Sequence, residues 1–171
     1  MKRILIFQFL FLLLAKANAQ NEFAATAFYT EFKKIYEDGQ TGFLNCKAEQ
    51  RKTGLEDLQK EYRIKMLLPL ADSGKLVVPS KGSPYVIYYF EPDKLRLKVD
   101  QRGANLRDAV VTAFDKPLAI RSETTIVNNQ PFSVTDYSLV TDQSGPVLFR
   151  QIIYYNAGKF YLSLEIRGRR Q

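Results

Sequence analysis

The sequence predicts an α+β protein: a mainly antiparallel sheet of about six or seven strands with two or three helices packed on it, preceded by a signal peptide. Three observations carry this expectation. Apolar residues recur at helical spacing around Phe28 and again around Leu106. From Leu118 onward the chain alternates apolar and polar residues in four segments joined by short polar turns, so consecutive strands should be antiparallel neighbours. Residues 1–19 carry the three-part pattern of an export signal, which leaves residues 20–171 as a single domain.

The leader opens with Lys2 and Arg3, continues as an apolar run over residues 4–15, and closes on Ala17-Asn18-Ala19 with small residues where a signal peptidase reads. As a helix, such a run spans roughly 18 Å, against a hydrocarbon core of about 30 Å, so it reads as a cleaved leader and not as an anchor. The mature chain should begin at Gln20, carry no transmembrane segment, and reside in the periplasm or outside the cell.

A first helix is expected over residues 23–37, where Phe28, Phe32 and Ile35 form an apolar stripe extended by Ala24 and Ala27. Residues 41–60 are the least readable. There Leu55, Leu58 and Tyr62 could line a short helix, and Phe43, Leu44 and Cys46 form a short apolar segment. Tyr62, Ile64, Met66 and Leu68 then alternate with Arg63 and Lys65 as a strand buried on one face. Residues 76–78 suggest another strand. Residues 85–90 and 95–99 read as a hairpin about Glu91-Pro92-Asp93-Lys94, with Val86, Tyr88 and Phe90 facing Leu95, Leu97 and Val99 in the core. Its other face would carry Tyr85, Ile87 and Tyr89 against Arg96, Lys98 and Asp100.

A second helix is expected from Leu106, Ala109, Val110, Ala113 and Phe114, after Gly103, with Asn105 and Asp108 as a capping pair and Pro117 as the stop. Strands should follow over residues 120–127, 132–140, 147–155 and 160–167. The last hairpin fixes its own register. With Ala157-Gly158 as the loop, Tyr155 faces Phe160, Ile153 faces Leu162 and Phe149 faces Ile166 on the core side, while Tyr154 meets Tyr161, Ile152 meets Ser163 and Arg150 meets Glu165 on the other.

Composition narrows the chemistry. The chain has no histidine, no tryptophan and one cysteine, which excludes a Ser-His-Asp triad, a Cys-His pair, an imidazole-held metal and an internal disulfide. No phosphate-binding loop, dinucleotide fingerprint, nucleophile elbow or calcium loop occurs, and the sequence implies no cofactor and no metal. Glu91 with Asp93, or Asp136 with Asp142, read as solvated turn and strand-edge acids. Cys46 reads as a small buried apolar residue, the alternative being an intermolecular disulfide. Of the 25 basic residues, Lys2, Arg3 and Lys16 leave with the leader, and Arg167, Arg169 and Arg170 stand at the chain end, leaving a nearly neutral body. That argues against nucleic acid as a partner. The arginine end reads as a frayed terminus, with weak contact to an anionic surface as its functional alternative.

The remaining constellation is a sheet face with Tyr85, Tyr89, Arg96, Lys98, Arg150, Tyr154 and Tyr161, residue types suited to peptide, glycan or protein recognition. The sequence thus favours a non-enzymatic binding or accessory module of the cell envelope or extracellular space, acting through a sheet face or edge. The alternatives are a histidine-independent hydrolase using carboxylates such as Glu123, Asp136 or Glu165, for example on glycans, and a structural envelope subunit. Terminal sequencing of the protein recovered from the producing cells is expected to read from Gln20; recovery with residues 1–19 still attached would overturn the cleaved leader.

Overall fold

The computed structural model describes residues 21–169 apart from 56, 128 and 142–144. The expected leader, the chain start at Gln20, Asp142 and Arg170 lie outside the described residues. The elements are α1 (Thr26–Gly39), β1 (Lys47–Arg51), β2 (Gln59–Ile64), β3 (Ala71–Pro79), β4 (Tyr85–Asp93), α2 (Arg96–Ala113), β5 (Leu118–Val127), β6 (Gln130–Leu139), β7 (Phe149–Asn156) and β8 (Lys159–Arg167). The eight strands form one antiparallel sheet in the order β1-β2-β3-β4-β8-β7-β6-β5. The α+β expectation therefore holds, with eight strands where six or seven were expected.

The order contains a repetition that the residues do not advertise. A helix and a four-stranded meander occur twice, and the fourth strands of the two meanders, β4 and β8, pair at the centre from Tyr85↔Arg167 to Phe90↔Leu162. Both helices lie on one face of that junction. Phe23, just before α1, meets Phe90 edge-on at 5.4 Å, and Phe32 of α1 lies 5.0 Å from Phe149. Phe149 is fully buried and also meets Tyr36, Phe114 and Tyr137, so α1, the end of α2, β6 and β7 share one aromatic hub. Burying one such side chain is worth about 3 kcal/mol.

The α1 stripe is Phe28, Phe32 and Ile35, all buried, whereas Ala24 and Ala27 are exposed and add nothing to it. Helix α1 ends where Asp38, itself buried, accepts hydrogen bonds from the Asn45 and Cys46 amides at 3.0 and 2.7 Å and from Asn45 Nδ2 at 2.8 Å. This carboxylate turns the chain into β1. The expected helix through Leu55 and Leu58 is not formed. Leu55 and Leu58 are exposed between β1 and β2, and Tyr62 is a buried residue of β2, while Leu44 is also exposed beside buried Phe43 and Cys46.

The hairpin expected over residues 85–99 is corrected. Strand β4 has the expected faces, but residues 96–99 open α2. Asp93 accepts the Leu95 amide at 2.8 Å, which turns the chain out of the sheet and into the helix. Leu97 is 81% exposed, and only Val99 of that segment is buried, because Val99, Gly103, Leu106 and Val110 form the helix stripe. The two-residue alternation at 95–99 imitates a strand over one and a half helical turns. Gly103 lies inside the helix, not before it. A Cβ there would come within 2.9 Å of both Gln151 and Ile153 on β7, so the glycine marks where the helix crosses the sheet most closely. Asn105 and Asp108 lie inside the helix and cap nothing among the described residues; the Asn105 backbone carbonyl accepts from Asn21 Nδ2 at 2.8 Å and its Oδ1 from Gln101 Nε2 at 3.2 Å.

From β5 onward the strands follow the expected segments closely, and the β7–β8 register is the expected one in every pair. The chain end is not frayed as far as Arg169. The Gly168 amide donates to Pro84 O at 2.8 Å and the Arg169 amide to Gly39 O at 2.9 Å. A Cβ at Gly168 would lie 2.6 Å from Gly39 O, a backbone atom that cannot swing aside. Gly168→Ala should therefore cost about 1–3 kcal/mol in urea unfolding; an unchanged midpoint would show that this docking contributes nothing to stability.

Candidate functional site

The sheet face opposite the helices carries the candidate site. Cross-strand pairing lays it out in rows. Phe132, Tyr154 and Tyr161 form one row across β6, β7 and β8. Val134, Ile152, Ser163 and Tyr89 form the next. Asp136, Arg150, Glu165, Ile87 and Lys75 form a third, and Arg167, Tyr85, Val77 and Glu61 a fourth.

Five of the seven residues singled out from sequence, Tyr85, Tyr89, Arg150, Tyr154 and Tyr161, share this face and are half-buried by one another. Arg96 and Lys98 are not among them. They lie in the first turn of α2, paired with Asp100 and Asp93 at 3.3 and 3.5 Å, because that segment is helical. Tyr154 and Tyr161 are stacked, with centroids 5.2 Å apart and planes 13° from parallel. Burial raises the phenol pKa of Tyr85, Tyr89 and Tyr154, and the carboxylates of Glu61 and Glu165 add to this at Tyr85 and Tyr89. The tyrosines therefore stay neutral well into alkaline solution.

The face is not basic. Arg150 is held in a fork by Asp136, with contacts of 2.6 and 2.9 Å, and that hydrogen bonding raises its pKa further. Glu165 faces Arg150 in register, as expected, but receives Arg167 Nη2 at 3.1 Å instead. Glu61 accepts from Lys75 at 2.8 Å and from Gln59 at 3.0 Å. The Arg167 guanidinium lies 5.8 Å from the Tyr85 ring centre, with its Nε enclosed and unpartnered. Around the tyrosines three cations are matched by three carboxylates, and the free character there is aromatic; Arg51 on β1 and Arg121 with Glu123 on β5 stand on the same face at the two sheet edges.

Sequence reasoning missed Phe132, Lys75 and Glu61. Phe132 shares its strand phase with Asp136, so pairing β6 with β7 would have found it. That pairing depends on the connection between Leu139 and Phe149, whose length does not dictate its register. Beside the aromatic row, a cavity of about 480 Å³ is lined by Val127, Gln130, Pro131, Phe132 and Tyr154, among others. A smaller one of about 280 Å³ is lined by Glu22, Asp72, Glu91 and Arg102, and Arg102 donates to Glu22 at 2.9 Å and to Glu91 O at 2.7 Å, so its charge is already committed.

Among the described residues no three metal-ligating side chains converge, and no helix is long and apolar enough to cross a membrane. Asp136 and Glu165, two of the acids considered for hydrolysis, are each committed to a guanidinium, and the third, Glu123, stands exposed on β5. Comparison of the chain with protein-family models, with curated proteins and with solved structures finds no match.

Cys46 is fully buried, and burial raises its thiol pKa, so thiolate is scarce at neutral pH. A thiol reagent should modify the folded protein only at the rate of unfolding. Prompt stoichiometric labelling under native conditions would show the site to be open.

Proposed function

We propose that the protein is an exported binding module that recognises a neutral glycan or peptide through the open sheet face, with Tyr89, Tyr154, Tyr161 and Phe132 as the contact platform. The observation that supports this reading is the stacked Tyr154–Tyr161 pair, which continues into Phe132 and the cavity of about 480 Å³ beside it. Tyrosine combines apolar area with a hydroxyl at its tip and loses little conformational freedom on binding. A flat ligand with an apolar face and polar edges matches such a platform. Ion pairing of Arg150, Lys75 and Arg167 around the tyrosines leaves no cluster of free cations at the platform of the kind a polyanion would need.

The reading has a distinctive electrostatic signature. Ligands selected from a panel of neutral oligosaccharides and uncharged peptides should bind with affinity nearly constant between about 0.05 and 0.5 M salt and between about pH 6 and 9. Tyr154→Ala and Tyr161→Ala should each weaken binding about tenfold or more, whereas Arg96→Ala and Lys98→Ala should leave it unchanged. Titration followed by tyrosine emission is unobscured, because the chain has no tryptophan. Binding that depends on Arg96 and Lys98, or that collapses with salt, would overturn the proposal.

A further inference from the structure

The two edges of the sheet differ. Strand β1 is short, irregular in its pairing with β2 and rich in charge, which are the usual protections of a sheet edge. Strand β5 has none of the first two. It runs from Leu118 to Val127 in unbroken register with β6, and every residue from Ile120 onward is exposed. Ile120 and Ile126 lie on the side that the helices cover elsewhere, yet they are 44% and 66% exposed.

The hydrogen-bonding phase of β5 follows from its two ends. The connection from Val127 to Gln130 is a two-residue loop, whose flanking residues bond to each other. At the other end the Val140 amide donates to Pro117 O at 3.2 Å. Odd-numbered residues therefore bond inward to β6, and the N–H and C=O groups of Leu118, Ile120, Ser122, Thr124 and Ile126 point away from the sheet.

Among the described residues, the side chains of Arg121 and Glu123 have neither an ion pair nor a hydrogen bond, although they stand in the middle of this edge. Their spacing is self-complementary in one arrangement. If a second copy pairs antiparallel about a twofold axis through Ser122, Arg121 of each chain faces Glu123 of the other, twice. Ile126 then faces Leu118, Ile120 faces Thr124, and all five outward residues pair with outward residues. Shifting the axis to residue 121 sets Arg against Arg, and shifting it to 123 sets Glu against Glu. Like charges directly opposite are destabilising, so the charges select one register.

We infer that β5 is a homodimerisation edge: two copies of this chain join through antiparallel β5 strands centred on Ser122, making their two sheets continuous. The charges that would protect this edge against most strands fit it to its own copy.

Sedimentation of the chain lacking residues 1–19, over a range of concentrations, should reveal a reversible monomer–dimer equilibrium. Arg121→Glu should abolish the dimer by placing acids opposite Glu123, and Glu123→Arg should do the same by placing bases opposite Arg121. The double reversal Arg121→Glu with Glu123→Arg restores opposite charges across the axis and should restore the dimer. Glu123 stands opposite Val134 and is exposed, so Glu123→Arg should leave the urea midpoint extrapolated to the monomer unaltered; the two variants carrying Arg121→Glu, which faces Asp136, should lower it only slightly, separating misfolding from lost association. A wild-type chain that stays monomeric, including one that captures an extended peptide along β5 in place of its own copy, overturns the inference. So do a dimer indifferent to the single reversals and a double reversal that fails to restore association.

Discussion

The pairing of β4 with β8 is the constraint on which the rest of the molecule depends. Each half is a four-stranded meander preceded by one helix. Joined at β4 and β8, the two present Val86, Tyr88 and Phe90 beside Leu162, Leu164 and Ile166 as one continuous apolar floor. Both helices need that floor. The aromatic hub at Phe149 stands next to the seam, on the strand paired with β8, where it can receive side chains from both halves.

The seam also creates the candidate site, since it brings Tyr89 from the first half into the row next to Tyr161 and, across β8, Tyr154 from the second, and sets Tyr85 beside Arg167. Their backs are supported by buried strands and not by loops, so the platform is held by the same hydrogen-bond ladder that holds the core. Placing the helices on one face leaves the opposite face to be covered by its own long side chains, which lie over one another in ion pairs and ring stacks. That is why Glu61 and Glu165 are nearly buried without any helix above them.

Legibility in the sequence tracked how local the determining interaction is. The β7–β8 register could be read from a two-residue loop and a pattern of alternation, and it placed Tyr154 against Tyr161 correctly. The buried stripes of both helices were equally plain, because Phe28, Phe32 and Ile35, and Leu106 through Ala113, repeat at helical spacing. Residues 95–99 misled because a short helix start and a short strand can share an alternating pattern, and the sheet partner that would have settled the matter is β8, remote in the chain. Gly103 misled for a related reason: a glycine that permits a close crossing looks, from neighbouring residues alone, like a helix boundary. The neutrality of the tyrosine face was hidden because Asp136 and Lys75 reach it from strands whose lateral order no local pattern encodes.

Because β8 is central in space and late in sequence, the molecule has an order of assembly imposed by synthesis. While residues 21–155 emerge, β4 is an open edge, Phe90 lacks Leu162 at its side, and neither helix has a complete surface to settle on. Only with residues 159–167 can the ladder between the halves form, and long-range pairing of this kind is slow as well as late. A growing chain of this design cannot close its sheet until β8 has been made, so its two halves wait on one another.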